Sequence, residues 1–195
     1  MSGKRVLTDR ASAIPALAET FRAHGYEGAS LSMLCTATGL GKGSLYNFFP
    51  GGKEEMMAAV LADIDQWFDR AVFSPLTRTD DPARAIRAMM EDVSAYFHAG
   101  GRVCLVGWIG LGASRAAFGD RVEGYFAHWI AALSQCLESG GLPAQQAAQL
   151  SEEAVSAIQG AIILSRALDD QATFTRIVSR HRDAMLEALA AAGRR

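Results

Sequence analysis

Cysteine is scarce in this chain. Cys35, Cys104 and Cys136 are the only three among 195 residues. They are widely spaced, form no CxxC pair and sit in apolar context, which argues against a disulfide framework and a structural zinc site. Reduced, buried thiols are expected instead. Histidine is equally thin. His24, His98, His128 and His181 show no HExxH-like pairing, so no metal-ligand set is read. Long apolar runs are missing too: the longest, residues 103–113, is far short of the roughly 20 residues that cross a bilayer. No apolar segment follows Lys4 and Arg5, so no secretory signal and no membrane partner are read, and a cytoplasmic protein is expected. There is no alternating strand pattern, no internal repeat and no low-complexity tract. Paired carboxylates and a nucleophile-elbow serine are absent, so no catalytic residue is assigned. The glycines of residues 107–112 lack GxGxxG spacing and a βαβ setting, so they are read as sites of close helix packing and no cofactor is expected.

Neither sign of charge dominates, and the formal net charge is -2. The division along the chain is uneven. Residues 1–53 hold six cations (Lys4, Arg5, Arg10, Arg22, Lys42, Lys53) against three acids (Asp9, Glu19, Glu27). The remainder holds 13 basic and 18 acidic residues. An N-terminal part that attracts phosphate, joined to a mildly acidic body, suits a nucleic-acid-binding regulator.

What the chain does contain is concentrated in residues 31–53. The spacing predicts two short helices joined by a glycine turn. Ser30 or Ser32 caps the first through its hydroxyl, Met33, Leu34 and Ala37 keep helical spacing, and Gly39 supplies the left-handed residue that ends it. A second helix is expected from about Lys42 to Phe48. Two such helices form the helix-turn-helix unit, whose second member enters the DNA major groove. Its polar residues, Lys42, Ser44, Tyr46 and Asn47, offer a cation, a hydroxyl, a phenol and an amide, groups that bind phosphates and base edges. Lys42 and Asn47 suit base edges. Tyr46 and Lys53 suit phosphates, and Gly41 and Gly43 allow close backbone approach.

The segment Phe21-Arg22-Ala23-His24-Gly25-Tyr26-Glu27-Gly28-Ala29-Ser30, followed by Gly41-Lys42-Gly43-Ser44-Leu45-Tyr46-Asn47-Phe48-Phe49-Pro50, resembles the N-terminal DNA-binding domain of TetR-family transcriptional regulators. The resemblance covers roughly residues 9–60. It implies an all-α fold: a three-helix DNA-binding domain at 1–53, then a helical ligand-binding and dimerisation domain at 54–195. It also implies a homodimer on a near-palindromic operator in double-stranded DNA, released by a small ligand. Two departures stand out. Gly51 and Gly52 separate Pro50 from Lys53 where the family commonly has one residue, a variant associated with a drug-sensing subgroup. Asn47 stands where histidine is frequent, which alters base preference. Pro15 falls inside the predicted first helix and is tolerable in its first turn if Ser12 is the cap.

The body reads as helical almost throughout. A stripe through Met57, Val60, Leu61, Ile64, Trp67 and Phe68 predicts a helix over 53–73. Ser74-Pro75-Leu76 and Asp80-Asp81-Pro82 are expected to bracket a loop. Ile86, Met89, Met90, Val93 and Phe97 stripe the next helix, and 103–113 reads as a helix buried all round. Val122 to Leu137 mark another, and 144–168 and 171–191 are the last two. Leu150, Ala154, Ile158, Ala161, Ile162 and Ser165 on one of these, and Phe174, Ile177, Val178, His181, Met185 and Leu189 on the other, are expected to build the homodimer interface; the alternative is that each stripe faces its own core. Large rings and methionines suit a pocket for a small, largely apolar molecule, expected to be lined by Trp67, Met89, Phe97, Cys104, Trp108, Phe126 and Trp129. The function read is a DNA-binding regulator, a repressor released by that molecule. The alternative is a helical enzyme with a DNA-targeting head.

Overall fold

The structure, a computed structural model, describes residues 9–194. Lys4 and Arg5, counted above among the N-terminal cations, lie outside the described residues. The described residues contain helices and turns and no strand. In order they form α1 (Arg10–Gly28), α2 (Leu31–Thr38), α3 (Lys42–Phe48), α4 (Gly52–Phe68), a π-helical turn (Asp69–Phe73), α5 (Ser74–Thr77), α6 (Pro82–Tyr96), α7 (Leu105–Leu111), α8 (Arg115–Ser139), α9 (Ala144–Ala167) and α10 (Gln171–Ala192).

Packing divides the chain into two compact units that do not follow a simple N-terminal and C-terminal order. The first joins the part up to Asp65 with Leu105–Arg121. The second joins Gln66–Cys104 with Val122–Arg195. Two helices are shared: α4 passes from the first unit to the second after Asp65, and α8 after Arg121.

The first unit is built on a small aliphatic and aromatic core, with Ala13, Leu17, Phe21, Leu34, Leu45 and Phe49 all fully buried. Helix α1 begins one turn earlier than the sequence suggests. Asp9, rather than Ser12, is its cap: Asp9 Oδ1 accepts the Ser12 amide at 2.7 Å, and the Asp9 amide donates to Ser12 Oγ at 3.4 Å. This reciprocal pair satisfies two free amides at once. Pro15 therefore sits in the second turn, where it removes the amide that would have met the Ala11 carbonyl. Both residues are exposed, so the Ala11 carbonyl is not buried without a partner. Near its far end α1 is interrupted at Gly25, whose φ of 69° and ψ of 172° suit glycine alone.

In the second unit, α6 packs on α10, and α10 on α9. Phe68 lies at the middle of a ring cluster, with centroids 5.0 Å from Trp67, Tyr96 and Tyr125 and 5.2 Å from Trp129. The start of the loop, expected at Ser74-Pro75-Leu76, is helical instead. The π-turn carries the chain on in helical conformation, and Pro75 falls in the first turn of α5. The helix expected to be buried over 103–113 is shorter and one-sided: α7 spans Leu105–Leu111, with Trp108 42% and Leu111 85% exposed. The two stripes on α9 and α10 face their own unit. Ala154, Ile158, Ala161, Ile162, Ser165, Phe174, Val178, Met185 and Leu189 are all buried within the single chain.

Candidate nucleic-acid interface and sensing core

Helix α2 starts at Ser30, whose hydroxyl accepts the Met33 amide at 3.3 Å, and ends at Gly39 with φ 70°. Leu40 and Gly41 complete the turn. Helix α3 is pinned by one residue: Leu45 is fully buried, while Lys42, Gly43, Ser44, Tyr46 and Asn47 are all exposed. The five residues assigned to DNA on this helix thus share one outward surface. A side chain added at Gly41 or Gly43 would meet nothing within 4 Å. The protein's own packing does not require glycine at either place.

Lys53, the sixth assigned residue, is placed differently. Its Nζ lies 4.7 Å over the Tyr26 ring and donates to the Glu27 carbonyl at 3.4 Å. It belongs to a junction the sequence did not reveal. The Ser114 hydroxyl donates to Glu27 Oε1 at 2.5 Å, Tyr26 meets Phe118 edge-on at 5.3 Å, and the Trp108 indole covers Gly25, where an added Cβ would sit 3.4 Å from its ring. The Ser114 hydrogen bond holds the Glu27 carboxyl below the usual carboxylate range, with its backbone amide and Lys53 adding to the effect. Burial pushes the Tyr26 phenol up, as do the charges of Glu54 and Glu27. The end of α1 therefore touches the start of α4 on one side and α7 with the start of α8 on the other. His24-Gly25-Tyr26-Glu27 appeared in the sequence as part of a motif. Apart from Lys53 and Glu54, the partners named here lie more than 80 residues away, beyond the reach of any local pattern.

The seven residues assigned to a ligand do not all come together. Met89, Phe97, Cys104 and Trp129 are buried in the second unit, and Trp67 and Phe126 are half-buried there. Trp108 does not join them. It packs in the first unit against Gly25, because α7 turns one face to α1 and leaves the other exposed. The indole Nε1 of Trp129 is buried and has no acceptor. Two surface hollows of about 340 Å³, one at residues 115–121 and one between Asp80–Pro82 and Leu186–Ala190, are lined by none of the seven. Among the described residues no group of acidic, histidine or cysteine side chains is arranged to hold a metal, and no helix is long and apolar enough to cross a membrane.

Residues 14–60 match the family model for bacterial regulatory proteins of the TetR family. Residues 82–180, half of the chain, match the model for the C-terminal domain of LmrA/YxaF-like transcriptional regulators. The HTH-type transcriptional regulator LmrA of Bacillus subtilis is 24% identical over 160 residues, covering 80% of this chain and 85% of that protein. YxaF of the same organism, described as an uncharacterized HTH-type transcriptional regulator, is 27% identical over 150 residues, covering 74% and 78%. Among solved structures, a TetR transcriptional regulator from Legionella pneumophila superposes with a TM-score of 0.80 at 17% identity, covering 93% of this chain and 99% of that one. A cysteine mutant of the TetR-family regulator CifR, solved with 26-base-pair operator DNA, superposes with a TM-score of 0.75 at 22% identity and the same coverage. With its head and its body each matching the corresponding domain model, the chain belongs to the TetR family of DNA-binding transcriptional regulators, with a C-terminal domain of the LmrA/YxaF kind.

Proposed function

We propose that this regulator is a homodimeric repressor that leaves a near-palindromic operator when a small, largely apolar molecule binds its second unit. The observation that carries the ligand response is the packing of Leu105–Arg121. These residues lie inside the matched C-terminal domain, yet they are part of the unit that bears the helix-turn-helix. They are continuous through α8 with Trp129, in the ring cluster. A ligand that displaces α8 therefore acts on Glu27 and Gly25 through Ser114 and Trp108. Such a ligand shifts DNA affinity only by as much as it favours one arrangement over the other, typically 1–3 kcal/mol.

The interior supports an apolar ligand with an acceptor oxygen. Aromatic rings dominate it, and the unpaired Trp129 Nε1 is a donor whose burial without a partner costs about 1–3 kcal/mol. The test uses a panel of neutral hydrophobic compounds and the DNA upstream of the protein's own gene. A compound that quenches tryptophan emission in a Trp108→Phe variant, leaving Trp67 and Trp129 as reporters, is expected to release DNA in a gel shift. Ser114→Ala is expected to keep the quenching and lose most of the release. A panel that neither quenches nor releases would remove the ligand reading while leaving the DNA-binding role intact.

The dimer is assigned to the outer face of α9. Gly160, Ile163, Leu164, Ala167 and Leu168 follow helical spacing, and Ile163, Leu164 and Leu168 are 58%, 45% and 63% exposed. Two-fold symmetry matches one reading head per chain to two half-sites about one helical turn, or a multiple of it, apart. Ile163→Glu with Leu164→Glu is expected to convert a dimer to a monomer in light scattering without lowering helicity. A wild-type monomer at micromolar concentration would overturn the assignment.

Phosphate and base contacts are assigned to the α3 surface, with Gly41 and Gly43 open to an approaching backbone. Lys53 joins them by leaving the Tyr26 ring, which would link DNA binding to the junction around Glu27.

A further inference from the structure

The turn between α3 and α4 is tied down by a residue outside the helix-turn-helix surface. Glu55 uses both carboxylate oxygens. Oε2 accepts the Gly51 amide at 2.8 Å, and Oε1 accepts Arg10 Nη2 at 2.9 Å. The Arg10 guanidinium in turn lies 5.0 Å over the ring of Phe49, which is fully buried. The Gly52 amide closes the turn on the Phe49 carbonyl at 2.9 Å, and Gly52 has φ +67°. This left-handed residue lies directly beneath the phenol of the α3 tyrosine: a Cβ built on it would touch Tyr46 Cε1 at 3.5 Å and its hydroxyl at 3.9 Å. Gly51 is favoured for its own reason. A Cβ there would sit 3.1 Å from Cβ of Glu55, tight enough that Glu55 would have to shift by a few tenths of an ångström. The two-glycine turn thus lets one carboxylate bind the turn and the start of α1 together.

We propose that Glu55 is a positioning residue for operator binding, holding the Phe49–Gly52 turn in the shape that sets Tyr46 against a backbone phosphate. The inference rests on the reading of Tyr46 as a phosphate contact. Glu55 carries a negative charge near a surface that meets polyanionic DNA. Electrostatics alone makes its removal strengthen binding, and it also frees Arg10. Positioning makes its removal weaken binding. The sign of the effect separates the two.

The experiment measures binding of the full-length protein by fluorescence anisotropy, across a salt series, to the duplex upstream of its gene and to an unrelated duplex. Glu55→Ala is expected to weaken operator binding about tenfold, the size of losing one good contact. Glu55→Gln retains an acceptor for the Gly51 amide and is expected to recover most of that loss. Gly51→Ala crowds Glu55 aside with every charge in place, and it is expected to behave like Glu55→Ala even if that variant folds poorly. Placed in a Tyr46→Ala background, Gly51→Ala is expected to add less than about twofold, because coupled residues are not additive. Unchanged or tighter binding by both Glu55→Ala and Gly51→Ala overturns the proposal. So does an equal loss with and without Tyr46. If Tyr46→Ala alone has no effect, the phosphate reading of Tyr46 fails first, and the proposal fails with it.

Discussion

Phe68→Ala is expected to destabilise the second unit by about 3–5 kcal/mol, a large share of the roughly 5–15 kcal/mol that holds a typical domain folded. Phe68 is fully buried and touches rings from several elements: Trp67 beside it, Phe73 in the π-turn, Tyr96 at the end of α6, Phe97 just beyond, and Tyr125 and Trp129 on α8. All six pairs are edge-on or tilted, arrangements that add about 0.5–1.5 kcal/mol each beyond simple burial. Removing the central ring leaves the surrounding rings without a common partner, and their bulk limits how far they collapse into the space. Urea unfolding followed by the emission of Trp67 and Trp129 is expected to show a lower midpoint with little change of slope. A loss under about 1 kcal/mol would show that the cluster is loose or already contains a sizeable void.

Lys42→Ala and Tyr46→Ala are expected to weaken operator binding in different ways. Lys42 stands at the start of α3, exposed, with Gly41 and Gly43 beside it adding no side-chain bulk. As a base-edge contact it is worth about 1–3 kcal/mol of discrimination, so its loss lowers affinity for the operator more than for unrelated DNA. Tyr46, 41% exposed and resting on Gly52, is assigned to a phosphate, so Tyr46→Ala weakens both duplexes alike. Tyrosine carries no charge, so the salt slope stays nearly the same, whereas Lys53→Ala is expected to lower it by about one if Lys53 neutralises a phosphate. Titrations of both duplexes at several salt concentrations measure all three quantities. Operator affinity unchanged by both Lys42→Ala and Tyr46→Ala would remove α3 as the reading surface.

The helix-turn-helix was legible because its signals are local. Ser30, Gly39 and the single apolar anchor Leu45 place α2 and α3, and the exposed surface of α3 follows from the anchor by helical geometry. The starts of α9 and α10, expected near residues 144 and 171, were legible in the same way, and the structure places them at Ala144 and Gln171. Other features needed the folded chain. The stripe through Ala154 and Ile158 was expected at the dimer interface, because periodicity does not distinguish a face turned to a partner from one turned to its own unit. Burial inside the chain assigned it to its own unit and left Ile163, Leu164 and Leu168 outside. Trp108 looked like core because its neighbours are apolar. Only the gap over Gly25, 83 positions earlier, explains where its ring lies.

By itself the sequence indicated the family, the helix-turn-helix and the longer helices, though not α5, since caps, turns and helical repeats act within a few residues of the chain. The tertiary structure alone decided which residues of the body join the head, and that Glu27 meets Ser114 and Glu55 meets Arg10. Contacts between residues 45 or 87 positions apart depend on how the helices pack in space, and no local spacing encodes them.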